Sequence, residues 1–472
     1  MKFSDRWSDH RARTLVVLPW LLSLALHVAE AQIPLRQKIG QMVMVTFVGD
    51  SLEKSSASLD TMKSDLSNGL VGGAIMFTWS NNLNRPAQIA HLTSELQRRA
   101  SIPLLLAIDE EGGQVARLGY SNGFTSTPSA FQLGTTINSE AYTRSTASTM
   151  ASWFVQTGLN VNFAPVVDVN VNPSSPAIGA LQRSFSSNPN IVASQALWFI
   201  DEFHKQKVFT TLKHFPGHGS ATTDSHLGLV DITTTWADSE LIPYRQLLGA
   251  GVVDLMMTAH VFNAKLDSIY PATLSKKIVT GLLRQSLGYQ GVVISDEMSM
   301  SAIVNYYGFD DAILLAVQAG VDILLYNKNL NTDGSSIARH VVDLIDQNVR
   351  NGSIAESRID DSYNRIMALK QRILTGIPAE TFASVPKEFS LSNYPNPFNS
   401  STMLSIRVPE REHVSLKVFD LLGREVSVLL DDDLPPGTRL ISWTANNVSS
   451  GVYIAQIQAG RHLAAIKMLL MK

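Results

Sequence analysis

From about residue 35 to 330, short apolar runs alternate with longer amphipathic stretches. The apolar runs are MVMVTF (42–47), GGAIMF (72–77), PLLLAID (103–109) and VNFAPVVDV (161–169). VFTTLKH (208–214), DLMMTAH (254–260), GVVISDE (291–297) and DILLYN (322–327) complete the set. Near-continuous apolar character is what a strand covered on both faces requires. Between them lie segments with helical spacing, such as PAQIAHLTSELQRR (86–99) and PNIVASQALWFIDEFHKQ (189–206). Strand–helix alternation repeated this often predicts a (β/α)8 barrel of the TIM type. An open doubly wound sheet is the alternative. No GxGxxG follows the first run, which weighs against a dinucleotide-binding version of it.

Near residue 376 the pattern changes. GIPAETFASVPKEFS (376–390) reads as a linker. Beyond it Leu404, Ile406 and Val408 alternate with Ser405 and Arg407, and Val414, Leu416 and Val418 with Ser415 and Lys417. Turn signals at Pro435-Pro436-Gly437 and Ser450-Gly451 separate the runs. Short alternating strands punctuated by turns predict a small all-β sandwich over 391–472, after a barrel over 32–375.

The chain begins differently. Arg11 and Arg13 precede an apolar run from Leu15 to Val28, followed by Ala29-Glu30-Ala31. This is the layout of a secretory signal peptide, 1–31, cut before Gln32. A membrane anchor is the other reading, but the run is shorter than the roughly 20 residues that span a bilayer. No later segment is apolar and long enough to span, so the mature chain is expected to have no membrane span.

Composition narrows the chemistry. Of 472 residues, 45% are hydrophobic and 17% charged, which suits a large buried core. A net charge of -3 lacks the basic excess of a general nucleic-acid binder. With no cysteine, disulfides, thiolate metal sites and a cysteine nucleophile are excluded.

Polar residues stand where the predicted strands end: Asp109, Asp168, Lys213 with His214, His260 and Asp296. Barrel active sites are built from such strand ends at the C-terminal face. In KHFPGHGSATTDSH (213–226), His214 and His218 are four apart, but Pro216 and Gly217 break any helix that could turn them towards one metal. No metal and no cofactor is expected. Asp224 precedes His226 by two residues on a Gly/Ser/Thr-rich loop. A carboxylate so placed can fix an imidazole tautomer and raise its basicity. Asp296, directly after an apolar run, is held rigidly enough to attack. Strand alternation sends Asp296 and Glu297 in opposite directions, so one of the two is expected to face a cavity. Asp109 and Arg117 in AIDEEGGQVARL suit a hydroxyl-rich ligand. By themselves these features point to a barrel enzyme acting on a polar substrate.

From about Leu35 to Thr375 the sequence resembles glycoside hydrolase family 3, in its β-N-acetylglucosaminidase branch. The carrying motifs are LRQKIGQMVMVTF, IDEEGGQVARL, FAPVVDVNVNP, RSF (183–185), KHFPGHG, DSH, MTAHV, PATLS and SDEMSM, in that order. The resemblance implies an exo-acting retaining hydrolase that removes terminal β-linked N-acetylglucosamine from oligosaccharides such as chitin or peptidoglycan fragments. It implies Asp296 as the covalent nucleophile and His226, paired with Asp224, as acid/base. Glycosidases ordinarily use two carboxylates, but an imidazole near neutral pKa can serve both steps. It further implies that Asp109, Arg117, Arg183, Lys213 and His214 bind the terminal sugar. Two departures stand out: Gln114 where the family often has Arg, and a longer IGALQRSF segment before Arg183.

The C-terminal region resembles the type A sorting domain of the type IX secretion system. YPNPFN (394–399), VFDLLGREV (418–426), SSGVYIAQI (449–457) and the terminal IKMLLMK carry the resemblance. It implies the type IX machinery as a partner, and a protein secreted or attached to the cell surface. A carbohydrate-binding sandwich is the alternative for this region. For the barrel, the alternatives are a phosphorylase, a β-glucosidase and an inactive sugar-binding module. An imidazole acid/base repels phosphate less than a carboxylate does, which keeps the phosphorylase open.

Overall fold

The computed structural model describes residues 33–471, apart from 225–227, 376–388, 395, 400, 435, 436, 446 and 447. The proposed signal peptide, most of the linker and His226 therefore lie outside the described residues.

Eight parallel strands close into a barrel. In chain order they are β1 (Val43–Val45), β2 (Gly73–Ile75), β3 (Leu105–Ile108) and β4 (Val161–Asn162). Then come β5 (Phe209–Phe215), β6 (Leu255–Thr258), β7 (Val292–Glu297) and β8 (Ile323–Tyr326). β1 pairs with β8 through Val43–Leu324 and with β2 through Met44–Gly73, which closes the ring. Each of the eight apolar runs supplies one strand, and the open sheet is excluded. From β1 to β6 every strand residue is buried, because side chains fill the barrel on one side and helices cover the other.

The helices bury one stripe each. In Pro86–Arg99, Ile89, Leu92 and Leu96 face the core, one to two turns apart. In Pro189–Lys205, Val192, Ala196, Phe199 and Phe203 do the same, and Phe199 stacks on Phe203 at 4.7 Å. Both helices start with Pro, whose missing N–H is harmless in the first turn.

β4 is shorter than its apolar run. After Asn162 the chain leaves regular pairing, and only Val166 bridges back to Lys213 of β5. This excursion brings Asp168 beside the end of β5. The loop after β5 packs against the same segment: a Cβ on Gly219 would sit 1.7 Å from the Val169 carbonyl, so no larger residue fits.

The C-terminal region forms two antiparallel sheets with one shared core. The first has Ser401–Val408 between Ser390–Tyr394 and Gly437–Thr444. The second runs Glu425–Leu434, Glu412–Asp420, Gly451–Ala459 and His462–Leu470. Leu404, Ile406 and Val408 meet Val414, Leu416 and Val418 in that core, as the alternation predicts. Among the described residues, no helix is long and apolar enough to cross a membrane.

Candidate active site

A cavity of about 350 Å³ opens at the C-terminal ends of the barrel strands. Its lining includes Asp109, Arg117, Arg183, Lys213, His214 and Asp296, whereas the strand-end residues Asp168 and His260 lie outside it. Asp224 is half-buried on the loop beyond β5 and outside that lining.

Asp109 follows the last residue of β3 and Lys213 lies near the end of β5, and their side chains meet across the end of the short β4 that separates the two strands. Lys213 Nζ donates to Asp109 Oδ1 at 2.7 Å and reaches Glu111 Oε1 at 2.7 Å. Arg183 donates to Glu111 through both Nε and Nη2, each at 2.8 Å, the forked geometry suited to a carboxylate. Arg117 stands 3.4 Å from the second oxygen of Asp109. Two carboxylates and three cations thus alternate across the floor. Burial alone would raise the pKa of Asp109, but the Lys213 and Arg117 charges outweigh it and hold it below the ordinary value. Burial likewise opposes ionisation of Glu111, and the Arg183 and Lys213 charges overcome it by a wide margin.

The longer segment before Arg183 does not displace it. Arg183 N–H donates to Ile178 and its Nη1 to Ala177, so the loop folds back and aims the guanidinium inward. Gln114 is exposed outside the lining.

His214 is oriented from behind. Its Nδ1 lies 2.7 Å from Asp168 Oδ2, and its Nε2 lies 3.3 Å from Arg183 Nη2. Asp168 also accepts the backbone N–H of His218 at 2.8 Å. Although burial disfavours its charge, the His214 ring keeps the Asp168 carboxyl below its usual pKa. His218 also lines the cavity, with its ring 5.9 Å from that of His214. Burial and the neighbouring His214 lower its pKa, which favours the neutral ring.

At the end of β7, Asp296 Oδ1 accepts the N–H of Glu297 at 2.8 Å. One expectation is corrected here: both Asp296 and Glu297 line the cavity. Ile323 pairs with Ile294 but Leu325 with Glu297, so three steps on β7 face two on β8. This bulge breaks the strict alternation. The Glu297 carboxylate is then held at the rim by the N–H groups of Ser299 and Asn327. Burial raises its pKa, against those two bonds. His260, another strand-end residue, does not line the cavity. Fully buried, it bridges Thr273 (2.8 Å) and the Glu297 carbonyl (2.9 Å), and so braces the strand that carries Asp296.

Among the residues in and behind the site, Glu111, Asp168 as partner of His214, and Trp79 carry no role assigned from the sequence. The signal for Glu111 was present. Two positions after Asp109 on an extended segment, it falls on the same side, while Glu110 points away. Glu110 is fully buried, with Oε2 accepting the N–H groups of Arg117 and Leu118 at 2.8 Å, and burial pushes its pKa up to about 8.

Residues 34–369 match the model of the glycosyl hydrolase family 3 N terminal domain. The chain belongs to that family. Residues 392–472 match the secretion system C-terminal sorting domain. The chain is similar to beta-hexosaminidase A of Pseudoalteromonas piscicida, at 34% identity over 74% of this chain and 63% of the relative. It is 35% identical to a beta-hexosaminidase of Tolumonas auensis, over 55% of this chain and 76% of that one. Among solved structures, a family 3 beta-N-acetylglucosaminidase from Paenibacillus sp. FPU-7 superposes with a TM-score of 0.66. Identity there is 37%, covering 73% of this chain and 64% of that one. The chain therefore spans slightly less than two thirds of the first-named relative and of that structure.

Proposed function

We propose that the chain is an exo-acting, retaining β-N-acetylglucosaminidase that works through a covalent glycosyl-aspartate on Asp296. One observation carries the reading: a rigid strand-end carboxylate opens into the same small cavity as the Asp109, Glu111, Lys213, Arg183 and His214 network. Fixed charged groups on a closed floor suit the hydroxyls of one terminal sugar, which favours attack at a chain end. Asp109, Arg117, Arg183, Lys213 and His214 hold that sugar. Asp296 attacks the anomeric carbon as the glycosidic bond breaks. His226, paired with Asp224, gives a proton to the leaving oxygen and later takes one from the attacking water. Similarity to beta-hexosaminidases supports the substrate class.

The protein is exported on this reading. The N-terminal segment 1–31 directs passage of the inner membrane, and the sorting domain directs the type IX route.

The test is a panel of aryl β-glycosides run with and without phosphate, followed by trapping with a fluorinated N-acetylglucosamine derivative and peptide mass mapping. We expect turnover of the N-acetylglucosaminide, no sugar 1-phosphate, and an adduct on Asp296. Asp296→Asn and His226→Ala each lose most turnover while keeping the fold. Near-wild-type activity in either variant removes its assigned role, and phosphate-dependent turnover makes the chain a phosphorylase.

A further inference from the structure

The indole of Trp79 is 61% exposed, yet it lines the same cavity as the buried charges. Exposed single aromatics are common on protein surfaces, so exposure alone means little. What distinguishes Trp79 is how it is held. It follows β2 in the turn Phe77–Asn82. Within that turn Asn81 N–H donates to the Thr78 carbonyl, and the fully buried Ser80 donates to the Phe77 carbonyl at 2.8 Å. Asn82, also fully buried, donates to the carbonyls of Phe47 and Gly49 (3.0 and 2.7 Å). The indole stacks on Phe77 with centroids 5.2 Å apart and planes 24° from parallel. Phe77 in turn carries the Arg117 guanidinium 5.5 Å from its ring centre. The Trp79 ring is thus a fixed plate, anchored by a buried turn and tied through Phe77 to a residue of the cavity floor.

Together with the proposed function, on which this rests, the geometry points to Trp79 as the platform of a second subsite, one that takes the pyranose ring on the leaving-group side of the scissile bond. The charged floor is buried and the plate is exposed, so the cavity has a polar inner end and an aromatic outer edge. The terminal sugar, whose hydroxyls need many donors and acceptors, occupies the inner end. The next sugar then lies at the mouth. A pyranose in a chair presents a face of C–H groups, and the electron-rich face of an indole attracts such hydrogens. The preferred substrate class is therefore an oligosaccharide whose second residue is itself a sugar, rather than a glycoside with a small or flexible aglycone.

The test compares N,N′-diacetylchitobiose with N-acetyl-β-glucosaminyl azide, which has the terminal sugar but no ring beyond it. In Trp79→Ala, kcat/KM on the disaccharide is expected to fall roughly three- to tenfold, mostly through KM, with the azide unchanged. Trp79→Phe restores much of the loss. Equal effects on both substrates, or none on either, overturn the subsite. Calorimetric titration of chitobiose into Asp296→Asn, with and without Trp79→Ala, reads the same contact without turnover. If the wild type cleaves neither substrate, the proposed function falls; if Trp79→Ala also leaves chitobiose affinity unchanged, the subsite falls with it.

Discussion

Replacing Glu111 with Gln tests whether the floor of the site is held together by charge. Glu111 is 5% exposed and accepts three charge-assisted contacts, two from Arg183 at 2.8 Å and one from Lys213 at 2.7 Å. Glutamine keeps the shape and one acceptor oxygen, but turns an amide N–H₂ towards a cation. Lys213, with 2% of its side chain exposed, then has only Asp109 for its charge. Removing one partner of a buried ion pair costs about 3–5 kcal/mol, because the other charge stays desolvated. At about 2 °C per kcal/mol for a unit this large, melting at pH 7 should fall by about 6–10 °C. The exposed control Glu53→Gln should stay within about 0.5 kcal/mol of wild type.

The acid limb gives a second reading of the same substitution. The Glu111 pKa is depressed in the folded state, so its contribution is complete above the unfolded value near 4.5 and is lost as pH falls through the depressed one. The gap between wild type and Glu111→Gln should therefore narrow below about pH 4.5. Calorimetry or chemical denaturation at pH 7 and pH 3 measures both quantities. A variant that melts within about 1 °C of wild type at pH 7, with an unchanged gap at pH 3, refutes the claim that this carboxylate organises the floor.

Two further substitutions probe what lies behind the site. Asp168→Asn removes the charge that orients His214, and loss of a charged hydrogen bond, about 1.5–3 kcal/mol, should lower kcat/KM roughly 10- to 100-fold; unchanged kinetics would show that His214 needs no such partner. Glu240 is fully buried beneath the Gly217–Ser220 turn, and burial raises its pKa to about 7, against the opposing pull of the Ser220 hydroxyl. The unfolded chain releases this proton from about pH 4.5 while the folded chain keeps it. Wild-type stability therefore declines between those values and stays lower above them. Glu240→Gln should match wild type near pH 4 and exceed it by up to about 3 kcal/mol at pH 8; equal melting curves at both pH values would contradict this.

The fold was legible in the sequence because barrel strands announce themselves. Seven of the eight are buried throughout, and β7 is buried up to Ser295, so local apolar character and tertiary position coincide. The exception is the run 161–169, where only Val161–Asn162 pairs as a strand. Val166, Val167 and Val169 are buried too, so hydrophobicity continues while regular pairing stops. Burial can be read from composition, but a hydrogen-bond ladder cannot.

The site divides along a similar line. A period of two carried past the end of β3 is consistent with Asp109 and Glu111 both meeting Lys213 while Glu110 meets two backbone donors elsewhere. The same rule applied to Asp296 and Glu297 fails, because β7 takes one residue more than β8 between Ile294 and Glu297. Nothing in SDEM announces that bulge; it is a property of two strands and not of one. Its consequence is chemical. It brings a second carboxyl to the cavity beside Asp296, where the Ser299 and Asn327 N–H groups fix its position and burial keeps its pKa raised. A site assembled from strand ends thus inherits both the regularity of the barrel, which sequence carries, and its local faults, which only pairing reveals.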